Sequence, residues 1–334
     1  VDKITFLNTI KRAYPFQKFN EVELDELLEL LDQVHQNRTI GKSVRQGPRA
    51  MKYFHGNLSL IPDQRTYGVR DITSRKMIGR LDERFILDLA PGDRIVFRGA
   101  VWAVVEIDEQ VMVSPSASIG ELPRWIGEDI PVPFSVAQEA SLRLSEGDWE
   151  GLPITDEARE VLVDFHQSIL DSGVMPSPTC LSIEQHERLF IVNYPGGSRL
   201  NRTIGMIVSA MLSAKSGYKV GYQFDPYRVI IDAPARTTVK DMLAIMKGFA
   251  SDIGSLLRFA IKDSPALKSQ LLHSARKMGA IAPDADVGKL GMRKLIEAYS
   301  DTPLYTEAVE RFLFHQLDEQ GMEDFIENIN EGKI

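Results

Sequence analysis

A single cysteine, Cys180, stands among 334 residues. That excludes an intramolecular disulfide and a zinc site built on cysteines. The six histidines (35, 55, 166, 186, 273, 315) never fall at HExxH or other ligand spacing, so no structural metal is expected. Long apolar runs are missing too. The longest such stretch, IGMIVSAMLSA at 204–214, is too short and too interrupted to span a bilayer. No signal peptide opens the chain, and VDKITF is not a natural start. An excised piece of a longer, cytoplasmic protein with no membrane partner is expected. A net charge of −8 is not that of a wholly basic nucleic-acid binder, so any polyanion site must be a local patch.

What is present describes a globular chain, 43% apolar and 26% charged. Its length predicts two or three domains of roughly 60–200 residues. Helical periodicity marks 3–12 and 20–36; in EVELDELLELLDQV the apolar positions 24, 27, 28, 31 and 34 recur every three or four residues. RTIGKSVRQGPRAMK (38–52) follows with five basic residues and no acid, and reads as a loop or hairpin. Two helices and a basic hairpin suggest the end of a winged helix. From 59 onward TYGVRD, KMIGRLD, RFILDL, DRIVFRG, AVWAVVEID and QVMVSP predict a small antiparallel barrel or sheet. Helices are expected at about 134–146 and 155–171, the second capped by Thr155. Residues 179–232 read as an α/β unit of four strands around the helix SRLNRTIGMIVSAML, with apolar positions 200, 204, 207, 208, 211 and 212. Beyond 237 the chain reads as helical, with breaks near Pro265, Pro283 and Pro303. The expected fold class is therefore α+β and multidomain: a partial winged helix (1–58), a small antiparallel β-barrel (59–133), and an α/β unit with a C-terminal helical bundle (134–334).

Four stretches invite chemistry. QNRTIGKS (36–43) ends like a phosphate-binding loop, yet Gln36 stands where that motif needs glycine, and a leucine-rich helix precedes it instead of a strand. This chain should not hydrolyse ATP by itself. YPGGSRLNRT (194–203) sets Gly196 and Gly197 before a helix whose first turns carry Arg199, Asn201 and Arg202. Free amides and two arginines there could hold a phosphate; the plainer reading is a glycine turn with arginines covering a helix. LPRWIGEDIPVPF (122–134) holds Trp125 between Pro123, Pro131 and Pro133, which no regular element tolerates. Its ring either caps the core or stacks on a base. Trp102, inside AVWAVVEID, reads as core. IPDQRTYGVRD (61–71) places Ile61 before a proline, either sealing a boundary or wedging between bases. Arg65 to Arg84 adds six basic residues against three acids, so the first quarter of the chain is its basic part.

Taken together, several stretches resemble one family. KRAYPF (11–16), IPD with the following Y-V-R-D, IGRLDERF, GDRIVFRGAVWAVVEID, LPRWIGEDIPVPF, GGSRLNRTIG and TPLYTEAVERFLFHQLD occur here in the order found in large helicase-related (Lhr-type) superfamily-2 helicases, with the archaeal branch nearest. The resemblance implies an ATP-driven, 3′-to-5′ translocase of single-stranded DNA or RNA. It has two RecA motor domains, a winged helix and a fourth, DEAD/H-associated domain. This chain resembles the end of the winged helix plus that fourth domain. ATP and Mg belong to the motor, and no cofactor is expected here. By the family's motifs, Ile61 falls on the wedge and Trp125 on the stacking platform; Gln64-Arg65 replaces the usual Arg-Gly after the first of these. Arg45, Arg49, Arg65, Arg70 and Arg124 are the expected phosphate contacts, with Glu128 orienting Arg124. Expected partners are a single strand of DNA or RNA and the RecA motor. Two other classes stay open: an enzyme using the GGSRLNR loop with Glu184 or Asp232, and a protein-interaction module.

Overall fold

The computed structural model describes the chain except residues 59–65, 88, 90, 117–129, 173–174, 176, 219, 249–251, 263, 283–284 and 286–290. The chain divides into two compact units. The first comprises 1–127 and 263–311, the second 128–262 and 312–334.

In the first unit, Asp2 caps α1 (Lys3–Ile10) by accepting from the Ile4 and Thr5 amides. Helix α2 (Glu21–Gln33) opens on a reciprocal cap: Asn20 Oδ1 accepts from the Glu23 amide at 3.0 Å, and Glu23 Oε2 accepts from the Asn20 amide at 2.9 Å. It stops short of the expected residue 36 because His35 takes a left-handed φ of 64°. Leu24 and Leu28 pack on Leu7, as their spacing predicts. Leu30, off that stripe, is buried as well. Strands β1 (Asn37–Ile40) and β2 (Ser43–Gln46) form a tight antiparallel hairpin, and α3 (Ala50–Gly56) follows it.

A five-stranded sheet comes next: β3 (Thr66–Asp71), β4 (Met77–Asp82), β5 (Arg94–Phe97), β6 (Ala100–Ile107) and β7 (Gln110–Pro115), with the short helix α4 (Glu83–Ile86) after β4. The order is β4-β3-β7-β6-β5. Alternate residues Tyr67 and Val69, Ile95 and Phe97, and Val111 and Val113 face one core. The expectation of an antiparallel barrel needs correction. Strand β3 pairs with β7 in parallel, and among the described residues no ladder joins β4 to β5. Each strand from β4 to β7 reverses direction, so after four reversals β7 runs the same way as β3 and pairs with it in parallel. Trp102 is half-buried at the margin of this core and donates from Nε1 to the Phe97 carbonyl at 3.1 Å.

The two compact units do not follow the expected domain bounds. Residues 263–311, expected to join the last domain, belong to the first unit. They contribute α10 (Pro265–Lys277), α11 (Met292–Tyr299) and the start of α12 (Pro303–Gln316). Arg276 on α10 makes a bidentate pair with Glu83 on α4, at 2.5 and 2.8 Å, and both side chains are only 10% exposed. Donating to the Glu83 carboxylate holds the Arg276 guanidinium pKa above its usual value. Gln36 donates to the Met278 carbonyl at 3.0 Å.

The second unit starts with α5 (Phe134–Glu146) and α6 (Asp156–Ser172); Thr155 Oγ1 accepts from the Ala158 amide at 3.3 Å, as expected of a cap. Strands β8 (Ser182–His186), β9 (Leu189–Asn193), β10 (Gly221–Asp225) and β11 (Arg228–Asp232) form an antiparallel sheet in the order β10-β11-β9-β8. Helix α7 (Gly197–Ser216) packs across it. A Cβ on Gly205 would lie 2.4 Å from Tyr222 Cδ2, so helix and sheet meet closely only because this residue is glycine. Helices α8 (Val239–Lys247), α9 (Ile253–Ile261), the end of α12 and α13 (Glu319–Glu331) complete the unit. Pro265 and Pro303 begin helices, as the expected breaks imply; Pro283 lies outside the described residues.

Candidate nucleic-acid interface

The β1–β2 hairpin turns on Gly41 and Lys42, with Gly41 at φ 57°. A two-residue turn fixes the register. Arg38 therefore stands directly opposite Arg45, and Thr39 opposite Val44. Val44 packs on the core of α1 and α2, so Arg38 and Arg45 share the other, outward face. Both are exposed. Like charges directly opposed across a ladder are destabilising. Among the described residues no carboxylate pairs with either, nor with Lys42, Arg49 or Lys52, all exposed as well. Indeed residues 33–62 contain no Asp or Glu. A fold that holds two uncompensated guanidinium groups side by side has a ready place for an anion between them.

The GGSRLNRT segment behaves differently. Its amides are already engaged: Gly196 donates to the Tyr194 carbonyl at 2.8 Å, Gly197 to Pro226 at 2.9 Å and Ser198 to Val132 at 2.9 Å. A Cβ on Gly197, at φ 72°, would lie 2.8 Å from the Val132 carbonyl oxygen, so that glycine serves a close backbone approach. Arg199 donates to the carbonyls of Leu317 (Nε, 2.8 Å) and Phe314 (Nη2, 2.6 Å) at the end of α12, where a cation suits the helix dipole. Arg202 bonds Gln316 and lies 5.2 Å from the centre of the Phe312 ring. Asn201 is fully buried and donates to the Tyr194 and Asp225 carbonyls. At the possible phosphate site of Gly196, Gly197, Arg199, Asn201 and Arg202, the glycine amides and these side chains thus donate to acceptors within the protein. Glu184 and Asp232, its suggested acid–base partners, lie on the sheet face away from α7. Glu184 accepts from Asn193 Nδ2 at 2.6 Å, and Asp232 pairs with Arg188 at 3.0 Å. Among the described residues no three His, Cys, Asp or Glu are placed to hold a metal.

Two family models match the chain. One, the winged helix domain of large helicase-related protein, covers residues 1–120; the other, DEAD/H associated, covers 175–334. The chain belongs to the large helicase-related family. It is 21% identical to the ATP-dependent helicase Lhr-Core protein 2 of Thermococcus barophilus, with 97% of this chain matching 42% of that protein. It is 23% identical to the ATP-dependent helicase Lhr-Core of Sulfolobus acidocaldarius, over 64% of this chain and 28% of the relative. Identity is 21% to the Lhr helicase/probable uracil glycosylase of Mycolicibacterium smegmatis, over 100% and 25% respectively. The structure of Mycobacterium smegmatis helicase Lhr bound to ssDNA and AMP-PNP superimposes with a TM-score of 0.70 at 16% identity, covering 100% of this chain and 43% of that one. At that identity the likeness shows a shared fold. The chain spans less than half the length of each of these relatives.

In this Lhr-family chain the winged-helix model runs through both the basic hairpin and the five-stranded sheet. Of the residues expected at a strand path, Arg45 lies on β2 and Arg49 immediately before α3, both exposed. Arg70 is half-buried on β3, with Met77 and Met112 beside it in register and its Nε buried without a hydrogen-bond partner among the described residues. Ile61, Arg65, Arg124, Trp125 and Glu128 lie outside the described residues. Arg38 was missing from the sequence expectation. Its signal was the Gly41-Lys42 turn: any hairpin closed there sets residue 38 against residue 45. Among the described residues no helix is long and apolar enough to cross a membrane.

Proposed function

We propose that this chain is the strand-gripping region of an ATP-driven helicase, holding single-stranded DNA or RNA by its phosphates beside a RecA motor. The observation that carries this reading is the exposed Arg38–Arg45 pair in a segment without acid. A phosphodiester between two guanidinium groups relieves their repulsion and gains charge-assisted hydrogen bonds. The Mycobacterium smegmatis helicase, whose structure was solved with ssDNA, supports the class of ligand. Within this reading Arg49, Arg65, Arg70 and Arg124 extend the phosphate track, Trp125 stacks on a base and Ile61 parts neighbouring bases. The motor supplies ATP, Mg and the 3′-to-5′ direction. The engaged Gly196, Gly197, Ser198 and Arg199 donors of the GGSRLNRT segment favour this reading over phosphate chemistry there.

The test is a titration of labelled oligothymidylate across a salt series. Affinity should fall with salt. Replacing Arg38 and Arg45 together by alanine should lower the slope of log affinity against log salt by about 0.7, the share of the one phosphate held between them on a single strand. An unchanged slope would refute the pair's role. Salt-independent binding by the parent chain would refute the gripping function itself.

A further inference from the structure

Helix α3 presents a second surface in the same acid-free segment. Its inward side is pinned: the Tyr53 hydroxyl donates to the Lys277 carbonyl, and the Tyr53 ring lies 3.0 Å from where a Cβ on Gly279 would sit. At 100° per residue, Met51 and His55 point opposite Tyr53, with Lys52 and Phe54 on the flanks. The exposures agree. Met51 is 50% exposed and Phe54 59%, and Lys52 and His55 are exposed too. Phe54 and His55 form a T-shaped pair with ring centres 5.5 Å apart. An apolar and aromatic face is thus left in water, with Lys52 on the flank opposite Phe54, and no carboxylate occurs from 33 to 62.

We infer that Phe54, steadied by His55, is a base-stacking platform for a single strand whose phosphates run across the face toward Lys52. This inference rests on the strand-gripping reading and adds a site to it. Three features favour nucleic acid over a protein partner here. The charged residues of the helix segment itself, Arg49 and Lys52, are of one sign, complementary to phosphate. Aromatic rings near cations are what sequence-tolerant strand binding uses, because every base offers a π-face. The helix is anchored from behind and the ring is propped by its neighbour, so little freedom is lost when a base arrives.

The experiment compares two probes on the 334-residue chain: labelled oligothymidylate, and an abasic phosphodiester strand of the same length. Phe54→Ala should weaken oligothymidylate binding roughly 5- to 150-fold and leave abasic binding unchanged. Phe54→Trp should retain affinity, and Phe54→Leu, which keeps an apolar side chain but no ring, should lose it. Arg38→Ala should weaken both probes alike, which separates the two sites. If the parent binds both probes and Phe54→Ala binds both as tightly as the parent, the stacking inference is wrong and the face is left for a protein. Equal losses on both probes, or full affinity in Phe54→Leu, also overturn it. If the parent binds neither probe, the gripping reading fails and takes this inference with it.

Discussion

Arg38→Glu should push stability and binding in opposite directions. In the parent, Arg38 and Arg45 face each other across the hairpin with no carboxylate among the described residues paired to either. A directly opposed like-charge pair is unfavourable, and an opposite-charge pair contributes about 0.2–1 kcal/mol. Reversing one charge removes the first term and adds the second, so the gain should be about 0.4–2 kcal/mol, largest at low salt. Strand binding should weaken, because a carboxylate replaces one phosphate contact and competes for Arg45. Arg45→Glu should behave alike. The double reversal restores a like-charge pair, so its stability should return near the parent's while binding is lost. That sign pattern is a double-mutant cycle whose coupling free energy is twice the single gain, about 0.8–4 kcal/mol. Urea unfolding at two salt concentrations gives the stabilities, and the labelled-strand titration gives the affinities. Destabilisation by both single reversals would show that the pair is compensated by the fold, and the reasoning from an anion-hungry hairpin would collapse.

Other perturbations test the frame around that site. Glu83→Ala should cost about 3–5 kcal/mol, because it strands Arg276 in a buried position, whereas replacing both by apolar residues should cost much less; urea melts of the parent and the two variants decide it. Tyr194 is buried and its pKa is pushed up to about 12. The unfolded chain ionises first, so stability should hold below pH ~10 and fall between ~10 and ~12 by roughly 2–3 kcal/mol, and Tyr194→Phe should abolish that alkaline loss. Trp125→Ala should weaken strand binding by about 1–3 kcal/mol with little change in melting. Trp102→Ala, at the core margin, should lose up to about 3 kcal/mol of stability first; paired melting curves and titrations separate the roles, and the reverse pattern refutes both.

Much of the fold could be read from local pattern. The apolar steps of α2 and α7, the Asn20–Glu23 cap, Thr155 and the prolines at 265 and 303 each act within a few residues, so sequence carries them directly. The features it hid are non-local. Nothing within 66–71 or 110–115 says that these strands run parallel, since that depends on the whole path between them. Nothing near Arg276 points to Glu83, 193 positions away. The buried face of Leu30 breaks the stripe of its own helix, so periodicity passes over it. At the candidate site, composition revealed the basic segment, but pairing within it needed the register. Of the expected site residues, Arg45 and Arg49 lie on that segment, and Arg70 lies on the sheet.

The contrast between two arginine pairs shows what decides such a reading. Arg199 and Arg202 follow a glycine turn at a helix start, the setting in which anions are often held. Arg38 and Arg45 stand on a plain hairpin. By sequence the first pair has the stronger claim. Yet Arg199 reaches the last carbonyls of α12, and Arg202 lies against Gln316 and Phe312, so the first pair has protein acceptors and ring faces close at hand. For the second, the described residues offer no carboxylate, and the residues from 33 to 62 contain none to offer. A guanidinium that already donates to buried carbonyls must break those bonds before it can take a phosphate, whereas one facing water gives up only hydration. In a chain of net charge −8, a stretch free of acids is also where a polyanion meets the least repulsion. The local balance of donors and acceptors therefore favours the hairpin, against the motif, as the first place to look for the strand.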